Sequence, residues 1–487
     1  MLLFALKAIR ESKIFTPLLT ALILIGIFFV CAVWAYPVFI GDSSYYIPPA
    51  INLKGGRGLI NQVSGISTQV DPSGEARFIY YPPLFQFVLS YLMPFANPWG
   101  ASLAIALMNA CVIMGLVVLF FRYARCFLFI DSILVSIAFF GLATSFAPFE
   151  GRPEILARVI FVFGLLAVTF IQYRIYRMGV LGVLLGCMGA TVPGGGVLFF
   201  ILITLYILAT TNVRRGAFEM FNVIGVSLVV FFLVLSFSPY GAGETLTGIL
   251  THAKILAESD SDRTVARMIA HTMWYPQTTL YGVLFLIFVI CTLILVRVFW
   301  KRICSKKSFL FILSLFFLLC AGLIRLSFES YVFLFSPLFF IVILFARQLN
   351  KKPLILCGVA ILFLLTSIGF LRTHVLFIDF MKNGVSLSQA RSHFQFIMTR
   401  DANPIMVSPA LWVLSDDYDI LSGARRSVAS IPRTVLVQQA YSSRTKPPVM
   451  PRCSLIENHF SAVVPELFGV PIAHTTPGYG FAAYHCE

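Results

Sequence analysis

One carboxylate stands where the first apolar run of the chain ends. A run from about Phe15 to Val38 leads into Phe39-Ile40-Gly41-Asp42-Ser43-Ser44-Tyr45-Tyr46. At a bilayer boundary, amid apolar and aromatic residues, Asp42 is partly desolvated. That environment raises a carboxyl pKa and sharpens its basicity. Such a group suits general-base work on a hydroxyl. A plainer role is equally open from the residues: an Asp or Ser ahead of Tyr45-Tyr46-Ile47 caps an interfacial helix.

The other polar stretches carry weaker chemistry. Lys54-Gly55-Gly56-Arg57-Gly58 has no preceding strand and no closing Gly-Lys-Ser/Thr, so it reads as a turn rather than a phosphate cradle. Tyr80-Tyr81-Pro82-Pro83-Leu84-Phe85 opens an apolar stretch too short to cross a bilayer and suited to an interfacial helix. Glu244, His252, Lys254, Glu258, Asp260, Asp262 and Arg263 form a mixed-charge segment that reads first as a solvated amphipathic surface. No His or Cys pair has structural-zinc spacing. Asp416-Asp417-Tyr418-Asp419 lacks the spacing and closing Glu of a calcium loop and reads as a turn.

These residues must be held by elements that live in lipid. Hydrophobic residues make up 59% of the 487, charged residues 12%, and mean hydropathy is +0.89. A soluble domain carries roughly 25% charge, so lipid is the solvent for much of this chain. The formal net charge of +15 sits in short clusters at the ends of apolar runs, as the positive-inside rule expects, and not on a surface for nucleic acid. Apolar runs near 100–121 and 127–146 flank Arg122 and Arg125; those near 155–173 and 179–193 flank Arg174 and Arg177. Runs near 196–211 and 219–238 flank Arg214 and Arg215; runs near 280–299 and 308–324 flank Lys301, Arg302, Lys306 and Lys307. A last pair near 331–346 and 353–371 flanks Arg347, Lys351 and Lys352. Every second loop is short and basic, with hardly an acid in it.

The expected architecture is a polytopic α-helical membrane protein of about eleven transmembrane helices. Its N-terminus is cytoplasmic and its C-terminus extracytoplasmic. Residues 1–371 form the transmembrane domain, with extracytoplasmic loops at about 39–99 and 239–279; residues 372–487 form a small α/β extracytoplasmic domain. Of the 10 cysteines only Cys453 and Cys486 fall in outside territory. An oxidising compartment allows them to pair. Two free thiols that never meet are the alternative.

The first loop also carries a resemblance. Asp42, then Tyr45-Tyr46, Ala50-Ile51-Asn52-Leu53, a Gly-rich turn and Tyr81-Pro82-Pro83-Leu84 together resemble the GT-C superfamily of membrane glycosyltransferases that use polyprenyl-phosphate sugars. The likeness is nearest to the protein mannosyltransferase-like and aminoarabinose-transferase-like group. It continues at Gly151-Arg152-Pro153-Glu154-Ile155-Leu156-Ala157 and at Glu329-Ser330-Tyr331, where the family often has an Arg-Tyr pair. Many relatives have Asp-Glu in the first loop; here Ser43 follows Asp42, so the carboxylate that would stand next to it as a metal ligand is missing. In size and layout the chain is similar to phage-type O-antigen glucosyltransferases.

The resemblance implies an inverting transfer with Asp42 as the base. The donor is a sugar, glucose as the first choice, on polyprenyl phosphate (undecaprenyl phosphate in such enzymes). The acceptor is a glycan or glycolipid of the cell envelope, such as the O-antigen of lipopolysaccharide, outside a bacterial inner membrane. Tyr45, Tyr46, Tyr81 and Tyr331 become substrate-binding candidates. The leaving phosphate needs cations, and Arg77, Arg152, Arg158, Lys254 and Arg325 lie on the expected side, with His252 a further candidate. Glu154 and Glu329 stand four residues from Arg158 and Arg325, the spacing of helical ion pairs. Glu150 is a candidate to assist acceptor binding, and equally a solvated loop carboxylate. A divalent cation is optional. A lipid or sugar transporter or flippase is the competing class. It calls for paired broken helices and an internal repeat, and Pro193-Gly194-Gly195-Gly196 is a single interrupted site.

Overall fold

The computed structural model describes residues 2–34, 43–61, 63–64, 69–70, 76–123, 136, 151–260, 381–382, 384–400, 405–406, 409–414, 420–421, 433–438, 453–458, 466–467, 470–471 and 479–486. The apolar runs expected near 280–299, 308–324, 331–346 and 353–371 lie outside these residues, as does nearly all of the run near 127–146.

Helix α1 (Leu2–Val33) carries the first apolar run. After it come α2 (Ser43–Lys54), three two-residue strands β1 (Val63–Ser64), β2 (Gln69–Val70) and β3 (Ala76–Arg77), and the short α3 (Leu84–Leu92). Helices α4 (Pro98–Tyr123), α5 (Glu154–Phe170), α6 (Arg174–Gly189), α7 (Pro193–Thr210) and α8 (Val213–Ser236) build the bundle. Among the described residues three helical segments are long and apolar enough to cross a membrane, Phe15–Val33, Pro98–Arg122 and Val213–Ser236, with Pro193–Leu208 a shorter apolar helix. The chain is a helical membrane protein. Lipid accounts for faces that water would not tolerate: on α8, Phe221 is 76% and Val229 68% exposed.

Bundle packing follows from small residues. A Cβ on Gly182 of α6 would stand 2.8 Å from Val226 Cβ, and one on Gly186 would stand 2.5 Å from Ser227 O. This Gly-x-x-x-Gly face lets α6 and α8 approach to backbone distance, as membrane helices do where apolar burial against lipid gives no drive. At the other end of this pair the basic residues do not float in a loop. The chain breaks only at 171–173, and Arg174 opens α6. Arg174 forms an ion pair with Glu219, which is buried in α8, and its Nη2 donates to Glu219 Oε2 at 2.7 Å. Arg215 Nε lies 3.3 Å from the same carboxylate. A cation at a helix N-terminus opposes the helix dipole, and Glu219 offsets this.

Beyond the bundle lie α9 (Gly241–Asp260), α10 (Leu387–Arg400), a 3-10 turn (Pro409–Leu414) and strands β4 (Ile405–Met406), β5 (Ile420–Leu421), β6 (Arg433–Gln438), β7 (Cys453–Asn458), β8 (Glu466–Leu467), β9 (Val470–Pro471) and β10 (Phe481–Cys486). A six-stranded mixed sheet runs β1-β5-β4-β6-β10-β7. Its first strand comes from the loop after α2: Val63 pairs with Ile420 and Ser64 with Leu421, in parallel. The C-terminal segment is therefore hydrogen-bonded to the segment that follows α2. One apolar core continues across the junction, from Ile47 and Ile51 of α2 and Phe85 of α3 to Leu387 and Phe394 of α10, Trp412, and Phe481 of β10.

Candidate functional site

The site is built outward from α2, whose first residue follows Asp42 in the sequence. Asp42 itself lies outside the described residues, and so do Glu150, Arg325, Glu329, Tyr331 and the Asp416–Asp419 turn. Helix α2 carries Pro48 and Pro49 in its interior. Neither has an N–H, so the carbonyls of Ser44 and Tyr45 lose their usual donors four residues on. Asn61 supplies one of them: its Nδ2 donates to Tyr45 O at 3.3 Å. Gln86 Nε2 reaches Tyr46 O at 3.5 Å, and Asn52 Nδ2 donates to Ile60 O at 2.8 Å. Asn52, Asn61 and Gln86 are all buried. They hold α2, the turn after it and α3 as one unit. The turn uses positive φ at Gly56 (76°) and Gly58 (88°), as expected for the Gly-rich stretch. Of the three only Asn61 had a signal in the sequence, since the two prolines announce carbonyls in need of side-chain donors; Asn52 and Gln86 had none.

Two distant segments close on this unit. Gly151 packs against α2 so closely that a Cβ there would stand 2.4 Å from Ile47 Cδ1. This sets Arg152 and Glu154 at the start of α5, where they form an ion pair at 3.2 Å. The ion pair made by Glu154 is thus with Arg152, two residues back. Glu154 Oε2 is buried with no hydrogen bond among the described residues. Arg158 lies on the first turns of α5, 1% exposed and engaged with a partner. A guanidinium so placed is expensive unless its charge is met.

The second segment is α9. A Cβ on Gly248 would stand 2.5 Å from Ile79 O, so the helix lies directly on the segment that leads to Tyr80-Tyr81. Arg77 forms a 2.7 Å ion pair with Glu244 and lies 5.2 Å from the centre of the Tyr240 ring. Tyr240 OH donates to Leu59 O at 2.7 Å. Within this clasp Tyr46 meets Tyr81 edge-on (4.9 Å between centroids), and Tyr81 meets His252 at 4.7 Å. Tyr80 lies 5.9 Å from the same imidazole. Burial lowers the His252 pKa from its ordinary value of 6.5, favouring the neutral ring. Lys254 faces outward, exposed and with a partner of its own. Tyr45 is half-buried on the first turn of α2 and packs against the core.

The structure thus joins Tyr46, Tyr81 and His252 in one aromatic chain, and sets Arg152 and Glu154 just after Gly151, which packs on Ile47 of α2. Among the described residues no group of three or more His, Cys, Asp or Glu side chains comes together. At the far edge of the six-stranded sheet Cys453 is disulfide-bonded, and it stands opposite Cys486 in the register of β7 and β10.

No family model matches the chain, and no curated protein matches it. The chain is similar to two solved structures of the Archaeoglobus fulgidus oligosaccharyltransferase. With the apo form it shares 12% identity at a TM-score of 0.34, covering 74% of this chain and 52% of that one. With the form tethered to an acceptor peptide containing the NVT sequon it shares 12% identity at 0.30, covering 74% and 51%. The chain spans about half the length of these structures.

Proposed function

We propose that the chain is an inverting membrane glycosyltransferase of the GT-C kind, with Asp42 as general base. One observation carries this reading. Parts of three stretches that resemble that superfamily, within 43–53, 81–84 and 151–157, are separate in sequence and meet in space. Ile47 meets Gly151, and Tyr46 meets Tyr81. They meet on α2, whose first residue follows Asp42 in the sequence.

The chemistry follows from the groups. A polyprenyl-phosphate sugar lies with its lipid among the helices and its anomeric carbon at the outer boundary. Asp42 takes the proton of an acceptor hydroxyl as the oxygen attacks that carbon. The bond to phosphate breaks, polyprenyl phosphate leaves with the electron pair, and the anomeric configuration inverts. Arg152 and Arg158, both at the start of α5, are the described cations best disposed to meet the growing phosphate charge. Glu154 holds Arg152 in place. Arg325, Glu329, Tyr331 and Glu150 stay candidates from the resemblance alone. The sugar is glucose and the acceptor an envelope glycan such as O-antigen, reached from outside a bacterial inner membrane. The disulfide at Cys453, read as pairing with Cys486, supports an oxidising, extracytoplasmic location for the segment 372–487. About eleven spans with the N-terminus inside complete this reading.

The test is a mass shift. Wild-type protein is expressed in a host that supplies polyprenyl-phosphate hexose, and its lipopolysaccharide is analysed by mass spectrometry. One added hexose per repeat is expected. Unchanged glycan across hosts supplying glucose, mannose and galactose donors, with the protein present in the membrane, would count against the reading.

A further inference from the structure

The aromatic chain ends on a group whose polar atom has no use in packing. His252 is 8% exposed, and its Nδ1 is buried with no hydrogen bond among the described residues. An orphaned ring nitrogen is costly relative to a satisfied one. If the role were only to pack on Tyr80 and Tyr81, a phenylalanine would fill the place without that cost. Resting on the glycosyl-transfer reading, we propose that Tyr81, Tyr80 and His252 form a carbohydrate subsite in which His252 Nδ1 hydrogen-bonds a hydroxyl of a neutral pyranose ring.

The chemistry of the group selects the ligand. Burial keeps the imidazole neutral near pH 7, which weakens it as a partner for phosphate and suits it to a hydroxyl. A pyranose presents both surfaces the site can use. Its C–H face is apolar and slightly positive, complementary to the negative face of a tyrosine ring. Its rim carries hydroxyls. The position also fits, since the other end of the aromatic chain is Tyr46, four residues from Asp42. Nδ1 is covered by its neighbours, so a hydroxyl reaches it only after a side chain turns. Tyr80 and Tyr81, both half-buried and in ring contact with the imidazole, are the side chains to turn. The sugar is either the acceptor's or the donor's; the recognition chemistry is the same.

Binding is read without turnover. With seven histidines in the chain, 15N-histidine labelling in phosphatidylcholine nanodiscs (free of sugar detergents) gives a resolvable spectrum, and His252→Gln assigns the His252 signal. Methyl glycosides of glucose, mannose and rhamnose are titrated against inorganic phosphate and a short-chain prenyl-phosphate glucose. A saturable shift of the His252 signal with a glycoside is expected, lost in Tyr81→Ala. In a separate calorimetric titration, His252→Phe should bind at least about fivefold more weakly than wild type and His252→Gln close to wild type. A shift only with prenyl-phosphate glucose assigns the subsite to the donor sugar. No shift with any sugar, or one with phosphate alone, overturns the proposal. Should Tyr81→Ala not fold, Tyr80→Ala serves. A sugar-dependent shift together with unimpaired transfer by Asp42→Asn would leave the subsite standing and remove the assigned base; transfer that needs Asp42 without any such shift would do the reverse.

Discussion

Asn61 does for Tyr45 what the missing amide of Pro49 would have done. The carbonyl at 45 sits one turn from the start of α2, three residues from Asp42, so its hydrogen bond bears on the geometry of the proposed base. Asn61→Ala is expected to destabilise the protein by about 1–2 kcal/mol, the cost of stranding a part-buried carbonyl. Pro49→Ala returns an N–H at the right position, so the double variant should recover most of that loss. Thermal unfolding of the four proteins in one detergent gives the cycle. A double variant no better than Asn61→Ala would mean that Asn61 acts through something other than Tyr45.

At the scale of elements, the contact between α2 and the segment leading into α5 joins two separate stretches of the sequence. Gly151 permits it. Gly151→Ala places a methyl 2.4 Å from Ile47 Cδ1 and 2.6 Å from its Cγ1, in a wholly buried neighbourhood. Overpacking of this kind costs about 1–3 kcal/mol. The more telling effect is on transfer, which should fall at least about tenfold because α2 shifts against Arg152 and small displacements at a site are costly. Pairing it with Ile47→Ala should restore activity in part. Equal transfer by Gly151→Ala and wild type would show that this contact does not set the site.

The elements differ in how far their sequences announce them. Helices α4 to α8 follow from apolar runs, and the Gly-rich turn and α3 from local residue types, because these are decided within about a dozen neighbours. The same residues did not announce that Glu219 anchors Arg174 and Arg215. The basic loops read as nearly free of acids, and Glu219 sits at the head of an apolar run, separated from Arg174 by a whole hairpin. The meeting of Tyr46, Tyr81 and His252 is likewise a matter of long-range packing. Nothing in a two-residue strand such as Val63–Ser64 announces that it joins a sheet made otherwise of residues beyond 400.

Across the whole molecule, that strand and the shared core tie the C-terminal segment to α2. The sheet is fastened at its other edge, at Cys453. Cys453→Ser should cost roughly 2–4 kcal/mol of stability through the freed unfolded chain. If the partner is Cys486, Cys486→Ser should match it and the double variant should add nothing more. Tryptic peptides joining the two residues should appear only without reductant. A peptide joining Cys453 to any other cysteine would overturn the pairing.

The central claim is that Asp42 removes a proton from an acceptor hydroxyl. Membranes holding equal amounts of wild type and Asp42→Asn are supplied with synthetic polyprenyl-phosphate [14C]glucose and an O-antigen acceptor, and label in the acceptor is counted with time. Loss of the base should slow transfer by about 10²–10⁴-fold, with donor binding unchanged. Transfer by Asp42→Asn within about threefold of wild type would contradict the account, since the loss of a general base costs far more than that.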